Sequence, residues 1–388
     1  MRIEEITLRN FRNYREMTLL PHEGVNLFFG ANGSGKTNLL EAIHYCALGK
    51  SHRVAGDQSV VRMGETFGVC GVAVEAGGVR RKISVRLVPN EINKKTIMID
   101  SRKIQRFSDM MGCLQCVIFS PEDLGLIKEG PSLRRRYLDM MISQINRGYF
   151  IALQQYRVGL EQRNAMLRNM RANGGSGGKV LEVFEQAMAA PAAVIVTERK
   201  KTIELLSDLA AETYRNISGQ EKEDFRIGYH SSFRDEGSVE EALCRQMAEN
   251  REDDIRLGMT SAGPHRDDLT LSLNKKNMKV FASQGQIRTA ALSLKLAQMK
   301  ALKQIGGDAP VLLLDDVMSE LDRNRRMRLV SEISDYQTFI TCTDETDLEL
   351  DQAPRVYHVS AEDGEARIEE TGHGAPMVLR EISEPDFS

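Results

Sequence analysis

The sequence predicts an α/β fold: a lobe assembled from both ends of the chain, carrying an antiparallel β addition, with a helical domain inserted between its halves. Three observations predict it. Residues 25–29 form a short apolar run that enters a glycine-rich loop and then a helical pattern with Leu39, Leu40, Ile43 and Leu48 on one side. A long stretch after Pro131 is patterned only for helix. From about residue 222 strand and helix signals alternate again, through the uninterrupted apolar run 311–314, whose character is that of a strand buried on both faces. At 388 residues, a prior of roughly 150 residues per domain gives two to three domains. The boundaries fall at 1–119, 120–221 and 222–388.

The elements follow in order. Residues 67–74, 79–88 and 96–100 are rich in Val and Ile and separated by Gly77-Gly78 and Pro89-Asn90, as expected of antiparallel strands. Residues 113–119 read as a buried strand. Pro131 opens the helical domain at a position where its missing N–H is harmless. Tyr149, Leu153, Tyr156, Leu160, Leu167 and Met170 recur at spacings of four and three, interrupted only by Arg163. The run Asn173-Gly174-Gly175-Ser176-Gly177-Gly178 predicts a turn. Leu181, Phe184, Met188, Ile195, Leu205 and Leu209 continue the spacing beyond it, with Pro191 as a predicted kink. Two helices joined by a glycine turn predict an antiparallel hairpin, a short coiled-coil-like arm. Further strands are predicted at 225–229, 269–273, 339–341 and 356–359, and a helix at 285–304.

Composition narrows the function class. No run of 18 apolar residues is present, so no bilayer-spanning helix is expected. The N-terminus shows no signal-peptide pattern, and six cysteines are too few for a disulfide scaffold. A cytoplasmic, reduced protein is the expectation, with Cys113 and Cys116 as core residues more readily than a metal or redox pair. The net charge of −3 hides an asymmetry. Residues 342–388 carry 13 acidic residues and 3 arginines, leaving +7 on the rest, and residues 79–106 alone hold nine Lys/Arg against Glu91 and Asp100. An anionic partner is therefore compatible with the charge, though such a stretch is equally at home on a solvated face.

Gly30-Ala31-Asn32-Gly33-Ser34-Gly35-Lys36-Thr37 matches G-x-x-x-x-G-K-[ST] between a strand and a helix. Glycines let successive N–H groups turn toward phosphate oxygens at the positive end of a helix dipole. Lys36 reaches the β- and γ-phosphates in such a loop, and the Thr37 hydroxyl ligates Mg²⁺. The motif predicts binding of a nucleoside triphosphate, ATP with Mg²⁺. Asp315 and Asp316 end the buried strand 311–314; one carboxylate there suits Mg²⁺ opposite Thr37, and a second suits orientation of an attacking water.

Ser283-Gln284-Gly285-Gln286 precedes the helix 287–304, and Ser319-Glu320-Leu321-Asp322 follows the aspartates. This order is similar to the signature loop, Walker B and D-loop of ABC-type P-loop ATPases. About 280 positions separate Lys36 from Asp315, and the helical insertion between them resembles the SMC/Rad50 branch rather than transporter ATPases. Within that branch, Leu8-Arg9-Asn10-Phe11-Arg12-Asn13-Tyr14, the glycine loop, Phe119-Ser120-Pro121-Glu122-Asp123-Leu124, Gly263-Pro264-His265-Arg266-Asp267-Asp268 and the stretch 314–322 resemble the RecF family of bacterial recombinational repair. The resemblance covers nearly the whole chain; the acidic tail beyond about 372 matches nothing.

The resemblance implies an ATP-dependent DNA-binding protein that dimerises head-to-tail around two nucleotides and acts with RecO and RecR at gapped DNA, helping to load recombinase and supporting the SOS response. By residue, it implies that Gly30 through Thr37 hold phosphates and Mg²⁺, and that Arg12 approaches the phosphates. Asp315 is the metal-side carboxylate and Asp316 the water-orienting one. Ser283 and Gly285 touch the γ-phosphate held by another subunit. Two departures from the wider ABC pattern stand out. Asp316 lies where most members have Glu, and withdrawing a carboxylate by roughly 1 Å can cost on the order of 100-fold in rate; slow hydrolysis, a switch rather than a motor, is expected. Cys342-Thr343-Asp344 offers Asp344 in place of the switch histidine, and Ser120-Pro121-Glu122 occupies the Q-loop region.

Arg80, Arg81, Lys82, Lys94, Lys95, Arg102 and Lys103 are candidates for DNA-backbone contacts, with Arg134-Arg135-Arg136 either joining them or forming a solvated helix face. Few aromatic residues interleave these bases, favouring backbone tracking over base stacking. Gly263-Pro264 predicts a tight turn satisfied by the polar residues after it; the alternative places Arg266 at a dimer seam or on DNA. A second functional reading is a nucleotide-switched protein-interaction module with only indirect DNA contact.

Overall fold

The computed structural model describes residues 1–53, 56–89, 94–173, 178–233, 237–344 and 354–371. They divide into two compact units. The first comprises Met1–Asp123, Asn216–Gly219 and Leu292–Ser388, and the second Leu124–Arg215 and Gln220–Ala291. Residues 222–291, which the sequence assigned to the C-terminal part of the lobe, therefore fold with the helices, because the strand Asp268–Leu273 packs on the helix Pro131–Ser143.

The chain opens with a hairpin that hydrophobic patterning had not revealed, β1 (Arg2–Phe11) and β2 (Tyr14–Leu19). After β3 (Val25–Phe29) and α1 (Lys36–Leu48) come β4 (Gly68–Ala76), β5 (Val79–Leu87), β6 (Lys95–Ile99) and β7 (Arg102–Lys103), completing an antiparallel sheet ordered β2-β1-β4-β5-β6-β7. One face alternates Ile6 and Leu8, Cys70 and Val72, and Ile83 and Val85, all buried, as the two-residue strand period requires. β8 begins only at Cys116 (Cys116–Phe119); Cys113 lies in the preceding turn, and both cysteines are buried.

In the second unit, α2 (Gly125–Lys128) precedes two helices rather than one: the stretch after Pro131 breaks into α3 (Pro131–Ser143) and α4 (Arg147–Asn173). Residues 174–177, the predicted glycine turn, lie outside the described residues. α5 (Gly178–Ser218) runs through Pro191 as one element. It passes close to α4, since a Cβ on Gly159 would lie 2.6 Å from Met188 Cγ. Part of α5 is apolar enough by composition alone to cross a membrane. Within the unit it buries Leu181, Met188, Ile195, Ile203, Leu206 and Ala210. Beyond Pro191 the buried stripe falls on Leu206 and Ala210, one residue past the predicted Leu205 and Leu209. Arg163, which interrupted the apolar pattern of α4, is itself wholly buried. β9 (Phe225–His230), α6 (Val239–Glu249), α7 (Arg251–Leu257), β10 (Asp268–Leu273), β11 (Lys276–Asn277) and α8 (Met278–Phe281) complete this unit, with a small sheet ordered β11-β10-β9.

α9 (Gln284–Gly306) crosses the division between the units. β12 (Val311–Asp315), α10 (Arg323–Ile333), β13 (Thr338–Cys342), β14 (Arg355–Glu362) and β15 (Glu365–Glu370) then finish the first unit. Its second sheet runs β15-β14-β3-β13-β12-β8, parallel except for β15. β12 lies between β13 and the edge strand β8 and is wholly buried. Strands from the two chain ends thus interleave: Phe28 of β3 stacks on Tyr357 of β14 with ring centroids 4.8 Å apart. The acidic tail after residue 371 lies outside the described residues.

Candidate nucleotide site

The glycine loop leaves the carboxyl end of β3, and its path needs glycine at defined points. At Gly30, with φ +150°, a Cβ would lie 2.1 Å from the Val359 carbonyl oxygen of β14. At Gly35, with φ +122°, it would meet Ala366 Cβ and the Asn13 side chain at 2.9 Å. Gly35 caps α1 without any side-chain acceptor, and no acidic residue occupies the first turn. The positive end of this helix is left to an anion from elsewhere. Ser34 Oγ is buried with no hydrogen-bond partner among the described residues.

Lys36 is buried, and its Nζ donates to the carbonyls of Gly30 (2.6 Å) and Ala31 (2.9 Å). Burial lowers its pKa, opposed by the charges of Asp316 and Asp315. Thr37 Oγ1 donates to Asp315 Oδ1 at 2.8 Å, and Thr341 Oγ1 of β13 donates to the same oxygen at 2.8 Å. Burial raises the Asp315 pKa despite both hydroxyls. Asp316 leaves the strand with φ +53°, costly for a residue with a Cβ. Its N–H donates to Thr341 Oγ1 (3.0 Å), and its Oδ1 is buried without a hydrogen bond among the described residues. Thr37 of the glycine loop and Asp315 at the end of β12 thus meet across 278 positions of sequence, with Thr341 as an unforeseen support.

The N-terminal hairpin braces the loop. Asn13 Nδ2 donates to the Ser34 carbonyl (3.0 Å), Asn13 Oδ1 accepts from Asn38, and Tyr14 Oη donates to the Gly35 carbonyl (3.1 Å). Only a three-dimensional contact could reveal these supports; nothing in the local spacing announces them. Arg12, at φ +54°, is committed elsewhere in this structure. Its Nε and Nη2 form a bidentate pair with buried Glu41 (2.8 and 2.7 Å), and its Nη1 donates to the Ser59 carbonyl. Arg53 Nη1 lies 3.3 Å from Asn38 Oδ1, and its charge is felt at Asp315. Ser120 N–H donates to the Asp123 carboxylate, which pairs with Lys295 at 2.8 Å. Glu122 and Asp344 are exposed.

Ser283 and Gly285 fall in the second unit. The Ser283 and Gln286 side chains cap each other's backbone N–H groups (3.3 and 3.0 Å), a capping box at the start of α9. Ser283 and Gln284 remain exposed, and Gln284 Oε1 accepts from Lys128 (2.9 Å).

The run 263–268 is bound within the second unit. Gly263, with φ +128°, begins a turn closed by the Arg266 N–H to its carbonyl (2.8 Å). His265 bonds Tyr156 Oη (2.8 Å) and the Thr260 carbonyl (3.1 Å), and Arg266 donates to that same carbonyl. Buried Asp267 accepts from Tyr229 Oη and the Ser232 N–H. The turn reading describes this segment. Arg134 forms a bidentate pair with Asp268 (both 2.8 Å), and Arg135 donates to the Asp267 carbonyl. Neither belongs to a solvated basic face, and only Arg136 of the three is exposed.

Among the β-sheet bases, Lys95 turns inward to the Gly49 carbonyl (2.6 Å) and over the Tyr45 ring. Arg80 pairs with Glu4 (2.7 Å), and Lys82 lies 3.8 Å from Glu5. Arg81, Lys94, Arg102 and Lys103 are exposed.

Comparison with known proteins agrees with this architecture. The profile of the RecF/RecN/SMC N terminal domain family matches residues 2–367. The DNA replication and repair protein RecF of Clostridium novyi is 38% identical over 362 residues, covering 93% of this chain and 98% of its own. That of Ruminiclostridium cellulolyticum is 39% identical over 348 residues, covering 88% and 93%. A solved structure of the recombination mediator protein RecF with ATP, in the RecFOR pathway, superposes with a TM-score of 0.86 at 36% identity, covering 96% of this chain and 98% of that one. An SMC head bound to the winged-helix domain of ScpA shares the fold, at a TM-score of 0.56 and 15% identity. With relatives matched over almost their full length and the family profile spanning nearly the whole chain, the protein belongs to the RecF family.

Proposed function

We propose that the chain is a cytoplasmic, ATP-operated DNA-binding protein of replication and recombinational repair, in which the nucleotide joins two copies head-to-tail. The observation that supports this reading is the 2.8 Å hydrogen bond between Thr37 and Asp315, which joins the glycine loop to the carboxylate at the end of β12. The uncapped start of α1, the unpartnered Ser34 hydroxyl and the unpartnered Asp316 oxygen fit a triphosphate.

The N–H groups from Asn32 to Thr37 would cradle phosphate oxygens, with Lys36 exchanging its carbonyl partners for them. Thr37 and Asp315 would hold Mg²⁺, which supplies Lewis-acid polarisation of phosphoryl oxygens. Asp316 would orient the attacking water, and its short side chain favours slow turnover. The exposed Ser283 and the half-buried Gly285 of a second copy would complete the site. Arg12 joins it only by leaving Glu41. Binding then assembles a dimer, dimerisation aligns two modest basic surfaces on gapped, duplex or single-stranded DNA, and hydrolysis relaxes the grip. RecO and RecR are the proposed partners in loading recombinase and supporting the SOS response, since the pathway named for the structural relatives is RecFOR.

The pairing of Arg80 and Lys82 with glutamates favours a second reading, a nucleotide-switched interaction module touching DNA indirectly. Salt separates the two: direct contact with Z phosphates of duplex DNA gives a log–log slope near −0.9Z, and a flat slope favours the module. Sedimentation of the full chain with ATP or ADP tests the reading itself. Dimers are expected with ATP and monomers with ADP, and a folded Lys36→Arg variant should stay monomeric with both. Undiminished ATP dimers of that variant would contradict it.

A further inference from the structure

β13 lies between β3, which feeds the glycine loop, and β12, which leads into the aspartates. Thr341 is in register with Phe28 on one side and with Asp315 on the other. All five residues of β13 are buried, and Thr341 is 1% exposed. A hydroxyl in such a place is costly unless its hydrogen bonds are made within the protein. Valine has nearly the same shape and suits a buried strand without that cost.

The hydroxyl is used as donor and as acceptor, and both bonds go to the aspartates. Thr341 Oγ1 donates to Asp315 Oδ1 (2.8 Å) and accepts from the Asp316 N–H (3.0 Å). The Leu314 carbonyl, the acceptor that would serve a merely structural hydroxyl, is 3.5 Å away, longer than a good O–H···O bond. Thr37 donates to the same oxygen of Asp315. Two hydroxyls thus fix Oδ1, while Oδ2 takes no hydrogen bond among the described residues. The N–H that Thr341 accepts belongs to a residue at φ +53°, a conformation that a residue with a Cβ keeps only where its surroundings hold it.

We propose that Thr341 is a positioning residue of the nucleotide site. Its single hydroxyl ties the carboxylate of Asp315 to the backbone turn of Asp316, so that the acid on the metal side and the acid on the water side are set as one unit. This rests on the Mg-nucleotide reading of the site and adds the device that fixes its two acids relative to each other. Thr341 acts through the aspartates rather than on the phosphates. Without the hydroxyl, the Asp316 N–H loses its acceptor, the strained turn relaxes and both carboxylates shift. Outer partners of this kind carry roughly 10–100-fold in metal affinity or activity.

The test compares Thr341→Val with Thr341→Ser in the full chain. Two quantities are read: binding of a fluorescent ATP analogue to dilute protein, with Mg²⁺ and with EDTA, and the rate of ATP hydrolysis. Thr341→Val should lose roughly tenfold in affinity with Mg²⁺, keep wild-type affinity in EDTA, and hydrolyse ATP about 100-fold more slowly. Thr341→Ser restores the hydroxyl and should stay within about threefold of wild type in both. In an Asp315→Ala background, Thr341→Val should cost no further Mg²⁺-dependent affinity, because the carboxylate it acts through is gone. If Thr341→Val does not fold, Thr341→Cys carries the same comparison; its thiol is a weaker donor, and the loss should fall between those of the other two variants. Thr341→Val with wild-type Mg²⁺-dependent affinity and rate would overturn the positioning role and leave the site reading standing. So would Thr341→Ser as impaired as Thr341→Val, or an equal loss of affinity in EDTA, either of which would assign Thr341 to packing alone. A wild-type chain whose nucleotide affinity ignores Mg²⁺ would overturn the site reading itself.

Discussion

His265 has its pKa pushed down to about 4, chiefly by burial, with the Thr260 carbonyl opposing and the charges of Arg266 and Arg135 adding to the effect. His52 is held at about 4 for the same first reason. The unfolded value is near 6.5, so between pH 6.5 and 4 the unfolded chain binds protons that the folded chain refuses. The stability each histidine contributes is present above pH 6.5 and is lost as pH falls, by about 3 kcal/mol at full protonation of the unfolded state. Urea midpoints for wild type should drop steeply from pH 7.5 to 4.5, and His265→Gln should flatten the His265 share. An unchanged slope would show that His265 titrates normally. At this scale the sequence points to Lys36 and Thr37 through the glycine-loop motif and to Asp315 and Asp316 through the buried strand they end, and the structure brings Thr37 and Asp315 together. Glu41 of α1 as the partner of Arg12, and Thr341 of β13 beneath Asp315, come from other elements of the chain and left no local signal.

Periodicity carried most of the secondary structure but misjudged its exceptions. Arg163 broke the α4 stripe because it is charged, yet it lies at the centre of the packing. It pairs with Asp254 at 2.7 Å and Glu185 at 2.9 Å, each almost fully buried, while Arg251 also reaches Glu185. Apolar spacing cannot distinguish a solvated arginine from one whose charge is met by carboxylates on α5 and α7. Removing one member of a buried pair costs about 3–5 kcal/mol. Arg163→Met should therefore destabilise the chain by about that much in chemical denaturation; a loss below about 1 kcal/mol would mean that α4 and α5 are held by apolar contacts alone. The β1–β2 hairpin escaped notice for another reason: its turn and the residue after it supply Asn13 and Tyr14 to the glycine loop, so it reads as a motif before it reads as strands.

For the whole molecule, the division of the chain was legible in outline. The lobe does draw on both termini, because β3 and β8 pair with strands from beyond residue 311. The segment 222–291 was misassigned because alternating strands and helices suit either unit, and only the packing of β10 on α3 decides. That packing sets Ser283 and Gly285 in one unit while Lys36, Thr37, Asp315 and Asp316 lie in the other. The central claim is that each nucleotide is served by two copies, and complementation tests it most directly. Lys36→Ala disables the loop and Ser283→Arg the capping corner, so neither variant alone should hydrolyse ATP. Mixed in equal amounts, a pair made of one of each keeps one sound site of two, so between about a quarter of the wild-type rate, if the copies pair at random, and about half, if only mixed pairs assemble, should return. A mixture as inactive as its components would contradict the account, since the nucleotide would then be served within a single copy.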